Sequence, residues 1–136
     1  RCASVTAANI ALRLAVRRLI KEGRCLPPSR RDEENVILNE SEIQDHELSV
    51  MCNDVAAVSV GLFGEDVYLD LDYDLDSNAD VDINVVGTSD GKFVEVQGTG
   101  EESTFSYDEL QALIDMARNG LEQLAEMQNV VLEDIE

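Results

Sequence analysis

The sequence predicts an α/β chain of the α+β type, a four-stranded antiparallel or mixed sheet with packed helices. Two observations carry that class. Four strand-like runs lie within residues 54–98 and are joined by short turns, which suits hairpins better than crossover connections. Helical periodicity flanks them, over residues 4–22 on one side and 106–132 on the other. At 136 residues one domain is the default, in three parts: an N-terminal helix (1–23), an acidic loop or insertion (24–53) and a C-terminal body (54–136).

In the first helix Val5, Ala8, Leu12, Ala15 and Leu19 recur at spacings of three and four, the mark of a buried stripe. Ile10, Leu14 and Val16 widen it, so more than one face is expected to be covered. Ser4 is the expected N-cap and Gly23 the stop. Arg13, Arg17, Arg18 and Lys21 form the polar side, and basic residues late in a helix suit its negative end.

Pro27-Pro28 forbids continuation of that helix. Seven acids fall between Asp32 and Glu47. The segment 29–53 therefore reads as mobile or ordered by a partner, and dispensable for folding, with Val36-Ile37-Leu38 as a short edge strand. His46, the only histidine, lies in it and reads as structural, since no second histidine is near to share a metal.

Residues 54–63 form a small-residue apolar run suited to a buried strand, and Phe63-Gly64-Glu65-Asp66 a hairpin turn. The next stretch, from Tyr68 to Thr99, organises the chain. Leu69, Leu71 and Tyr73 share one parity; Asp70, Asp72, Asp74 and Asp76 share the other. Side chains alternate faces along a strand, so this predicts a strand with one buried and one carboxylate-lined face. Strands over 81–86 and 93–97 follow, separated by a turn at Ser89-Asp90-Gly91. Ser106-Tyr107-Asp108-Glu109 is a capping box that starts the last helix. Its predicted buried stripe is Leu110, Leu113, Ile114, Ala117, Leu121, Leu124, Gln128 and Val131. Gly120 is unfavourable by about 1 kcal/mol in a helix and predicts a close approach to the sheet. The tail 132–136 is expected to fray.

The net charge of −19 argues against a general nucleic-acid binder. Its distribution is uneven: residues 1–31 hold eight of the ten bases, and residues 32–136 hold 28 of the 29 acids. A basic arm joined to an acidic body predicts a chain that does not work alone. No apolar run is long enough to span a bilayer. Three widely spaced cysteines, Cys2, Cys25 and Cys52, suit reduced thiols in a cytoplasmic compartment. The chain opens without methionine, which fits a processed or partial chain.

For chemistry, Asp76 and Asp82 stand on either side of a polar bend. Two carboxylates at a strand junction can hold a magnesium ion or divide acid and base roles. Arg1 lies at a helix start, where free backbone N–H groups favour an anion. No glycine-rich phosphate loop, Ser-His-Asp set or CxxC is present.

Several segments together resemble a known family. VAAVSVG at 55–61, LDLDY at 69–73, DSNADVDINVV at 76–86, FVEVQGT at 93–99 and FSYDEL at 105–110 are similar, in order and spacing, to the C-terminal half of ribonuclease PH. The opening RCASVTAANIAL resembles the segment where that family has a Gly-Thr-Arg motif running into a helix. The resemblance implies a ribonuclease PH-like fold with residues 1–23 belonging to its N-terminal half. It also implies a phosphate-dependent 3′→5′ exoribonuclease, a nucleotidyltransferase that trims RNA, typically precursor tRNA 3′ ends, and releases nucleoside diphosphates. Arg1 would bind the attacking phosphate, and Asp76 and Asp82 would be the catalytic and metal-binding aspartates, with Mg2+. The partners implied are RNA and further subunits in a hexameric ring. The sequence departs from the family at Leu75, where an acid is common, and at Gly87, where methionine is common. The competing reading is a non-catalytic ribonuclease PH-like scaffold that docks through its acidic segment.

Overall fold

The computed structural model describes residues 1–101 and 103–135. The order of elements is α1 (Cys2–Lys21), α2 (Glu40–Met51), β1 (Val55–Phe63), β2 (Asp66–Leu69), the one-turn helix α3 (Tyr73–Asp76), β3 (Val81–Thr88), β4 (Phe93–Gly100) and α4 (Tyr107–Asp134). The four strands form one sheet in the order β2-β1-β3-β4, antiparallel at every pairing.

Alternation gives the sheet two unlike faces. Val58, Val60, Ile83 and Val85 are on one, buried with Leu113, Ala117 and Leu121 of α4 in the core. Ser59, Asp82 and Asn84 have the opposite parity, and the register sets Asn84 beside Gln97 and Val86 beside Glu95. One face is thus an apolar seat for α4 and the other is polar. Helix α4 begins with the capping box expected of it, Ser106 accepting from the Glu109 N–H and Glu109 from the Ser106 N–H. Gly120 lies where a Cβ would come within 2.7 Å of Leu69 Cδ1 and 3.2 Å of Val58 Cγ1, so the close approach to the sheet is real. Leu132 is 3% exposed, so the expected fraying does not begin there.

Three expectations are corrected. The first concerns α1. Its N-cap is Arg1, not Ser4, although Gly23 (φ +70°) ends it as expected. The buried face is not the apolar stripe: Leu12 is 57% exposed, whereas Asn9 and Arg13 are 6% exposed. The reason lies in the sheet. β2 pairs only with Val60–Phe63, which leaves the first half of β1 with an open edge. Helix α1 runs along that edge and supplies acceptors to it. The Val55 N–H donates to Asn9 Oδ1 (3.1 Å) and the Ala57 N–H to Thr6 Oγ1 (3.2 Å). Gln128 of α4 completes the seal, its Nε2 donating to the carbonyls of Val55 and Thr6, both at 3.1 Å. Buried backbone groups need partners, so polar residues take the inner face.

The second correction concerns the acidic segment. Residues 40–51 are a helix, not a loop, and residues 36–38 form no strand. Asn39 caps α2 in a full capping box with Glu42. Glu47 is fully buried and accepts from Arg13 Nε (2.7 Å) and Arg17 Nε (2.6 Å). Arg13 also donates to Asp54 (2.8 Å), and Arg17 to the carbonyl of Leu132 (3.2 Å). Far from lying loose, α2 is fastened to α1 by buried charge, through the same two arginines that reach Asp54 and α4.

The third correction concerns the alternating acidic run. The strand stops at Leu69. Asp70 adopts φ +61°, and Asp72 accepts from the Leu75 N–H (2.8 Å) to cap α3. Aspartate tolerates the left-handed region and favours helix caps, so the same residues that make the alternation also break the strand.

Candidate active site on the polar sheet face

The 70–80 segment folds back over the polar face. It is held at one end by Asp70 N–H to Ser59 carbonyl (2.8 Å) and Leu71 N–H to Ser59 Oγ (3.1 Å). At the other end the Gly64 N–H donates to Asp80 Oδ2 (2.7 Å) and the Asp80 N–H to the Leu62 carbonyl (2.9 Å). In between, Leu71 lies against Gly61, where a Cβ would come within 2.7 Å of its Cδ1. An open cleft of about 390 Å³ results, lined by Arg1, Asp70, Asp72, Asp76, Asp82 and Asn84, among others. The three site residues expected from the sequence, Arg1, Asp76 and Asp82, therefore line a single cleft, although the two aspartates reach it from a helical turn and a strand rather than from two strands.

Within the cleft the Asp82 carboxyl is perturbed. Burial pushes it above the usual carboxylate range, the charges of Asp76 and Glu101 push the same way, and Asn84 opposes them. That opposing bond is a long one, Asn84 Nδ2 to Asp82 Oδ2 at 3.4 Å. Asp82 Oδ1 is buried without a hydrogen-bond partner. Buried acceptors are normally satisfied, so this oxygen, beside a second carboxylate, fits a site that takes a cation or a proton. Among the described residues no group of three or more Asp, Glu, His or Cys is arranged around a single metal position.

Arg1 approaches from the start of α1. Its guanidinium is paired with Glu95 and donates to Gln97 Oε1 (2.6 Å), both on β4, not with either aspartate. With no side-chain cap on α1, the N–H groups of its first turn also remain available to an anion. Cys2 and Asn84 are cleft residues that the sequence reading did not single out. The Cys2 thiol donates to Asn84 Oδ1 (3.1 Å); burial pushes that thiol up, Arg1 pulls it down, and Asp82 and Asp70 push it further up. The period-two pattern was the available signal for Asn84, since it shares the parity of Asp82.

Residues 53–120 match the model of the 3′ exoribonuclease family, domain 2. The chain is 43% identical over 132 residues to the ribonuclease PH of Rhodopirellula baltica, covering 97% of this chain and 47% of that protein. It is 38% identical over 136 residues to that of Bacillus pumilus (99% and 48%) and 45% identical over 95 residues to that of Tropheryma whipplei (70% and 37%). The chain thus spans about half the length of the first two relatives. Among the described residues no helix is long and apolar enough to cross a membrane.

Proposed function

The chain belongs to the ribonuclease PH family of 3′ exoribonucleases, and from that premise we propose that it is a subunit, or the C-terminal portion of one, that trims RNA 3′ ends by phosphorolysis in the cytoplasm. Its substrate would be the 3′ end of RNA, precursor tRNA in particular. Its working form would be a homo- or hetero-oligomer, a hexameric ring by family likeness. The observation that carries the reading is the convergence of Arg1, Asp76 and Asp82 on one cleft.

The chemistry follows from the residue types. Inorganic phosphate attacks the last phosphodiester, and the 3′ oxygen of the shortened RNA leaves with a proton. A guanidinium offers paired donors to phosphate, so Arg1, together with the N–H groups of the first turn of α1, would orient the attacking anion. Transfer to phosphorus depends mainly on positioning and on neutralising charge. Asp82, its carboxyl pushed up by burial and by Asp76, is suited to carry the proton destined for the leaving oxygen. In the alternative role both aspartates, ionised, would hold Mg2+, which when bound supplies positive charge against the phosphate oxygens. Asn84 donates to Asp82 and is itself held by the Cys2 thiol.

One observation favours the scaffold reading: Arg1 is engaged by Glu95 and Gln97. The deciding experiment is 3′ shortening of a tRNA precursor by the natural assembly, with and without phosphate. Phosphorolysis requires shortening that depends on phosphate and is lost in Asp82→Asn. Arg1→Ala should raise the phosphate concentration for half-maximal rate. An assembly inactive under all conditions would favour the scaffold.

A further inference from the structure

We propose that Cys25 is an activated thiol, a site of covalent modification served by a base on α2 and separate from the cleft. Cys25 sits just past the end of α1, its own N–H bonded to the Leu19 carbonyl (3.1 Å). Its Sγ lies 3.8 Å from His46 Nε2. On the far side of the ring, Ser49 Oγ lies 3.2 Å from His46 Nδ1. The serine hydroxyl donates its single hydrogen to the His46 carbonyl (2.8 Å), so toward the ring Ser49 has only a lone pair to offer. In the neutral imidazole one nitrogen carries the hydrogen and the other accepts. This arrangement suits the tautomer with its hydrogen on Nδ1, which turns the free pair on Nε2 toward the cysteine sulfur. Nucleophile, base and orienting group stand in the order that activated nucleophiles use. The packing of α2 on α1 that builds Glu47 into the interior also fixes this relay.

With hydrogen peroxide as the oxidant, the thiol proton passes to His46 Nε2. The sulfur then attacks one peroxide oxygen, the O–O bond breaks, and the departing hydroxide takes the proton back from the imidazolium as water. The sulfur loses two electrons and becomes a sulfenic acid; the peroxide gains them. An alkylating agent would be attacked by the same sulfur.

Two other thiols serve as internal controls: Cys52 is exposed, whereas Cys2 and Cys25 are half-buried. Exposure alone ranks Cys52 as the most reactive. The test treats the folded chain at pH 7 with limiting iodoacetamide, and separately with peroxide plus a sulfenic-acid trap, and measures modification of each cysteine by mass spectrometry. Cys25 should react about tenfold faster than Cys52, well within what an oriented base supplies. His46→Gln should bring Cys25 down to the Cys52 rate or below, and Ser49→Ala should slow it severalfold, with the Cys52 rate unchanged as the check on folding. If Cys25 reacts no faster than Cys52 in the unsubstituted chain, the proposal is wrong even if no variant folds. An undiminished Cys25 rate in folded His46→Gln would overturn it equally.

Discussion

Replacing Glu47 by Gln keeps the shape of the side chain and removes its charge. Glu47 is fully buried and receives three guanidinium contacts: Arg13 Nε at 2.7 Å, Arg17 Nε at 2.6 Å and Arg17 Nη2 at 3.3 Å. Removing one partner of a buried ion pair typically costs about 3–5 kcal/mol, because the other charge is left uncompensated. Here both arginines keep a second acceptor, Asp54 for Arg13 and the Leu132 carbonyl for Arg17. That places the cost at the lower end, about 3 kcal/mol. With a urea dependence of about 2 kcal/mol per molar, the unfolding midpoint should fall by about 1.5 M. Urea denaturation followed by circular dichroism measures this directly. A drop of less than about 0.5 M, on the order of 1 kcal/mol, would refute the reasoning and return the acidic segment to the status of a dispensable insertion.

Three further outcomes follow. Hydrogen bonds from Arg17 and Arg13 outweigh the effect of burial and hold the Glu47 carboxyl below the usual range. Its contribution is therefore complete above the unfolded value of about 4.3 and is lost as pH falls through the lower folded value; the stability gap between the parent and Glu47→Gln should narrow between pH 5 and pH 3, on the order of those limits. Asp82→Asn removes a carboxyl pushed up by burial and by Asp76 and Glu101, so at pH 7 it should stabilise the fold by about 0.5–2 kcal/mol, a trade of stability against function, read as a rise in Tm. Gly120→Ala gains helix propensity but drives a Cβ to 2.7 Å from Leu69 Cδ1; overpacking costs about 1–3 kcal/mol, so Tm should fall, and a rise would show that Leu69 yields freely.

Where hydrophobic patterning decides the packing, the fold was legible. The apolar run at 54–63, the strand-like runs at 81–86 and 93–97, and period 3.6 behind the Ser106–Glu109 box each mark an element of the structure, β1, β3, β4 and α4. Patterning fails where polar groups do the packing. Leu12 points outward and Asn9 and Arg13 inward because α1 serves a strand edge that needs acceptors, and hydropathy carries no record of that need. Helix α2 left a readable signal, Asn39 followed three residues later by Glu42, which the density of acids obscured. Asp76 and Asp82 were legible as a pair on either side of a bend. The strand expected to carry Asp76 was not there, since Asp70 and Asp72 turn the chain before it. Asn84 and Cys2 belong to the cleft through contacts across more than eighty residues of sequence, which no local pattern reveals.

The most direct test of phosphorolysis is the identity of the product. Incubated with a tRNA precursor, Mg2+ and isotopically labelled inorganic phosphate, the natural assembly should release nucleoside diphosphates that carry the label in their terminal phosphate, and the Asp82→Asn assembly should release none. Unlabelled nucleoside monophosphates, formed equally well without phosphate, would mean that water is the nucleophile and would contradict the account.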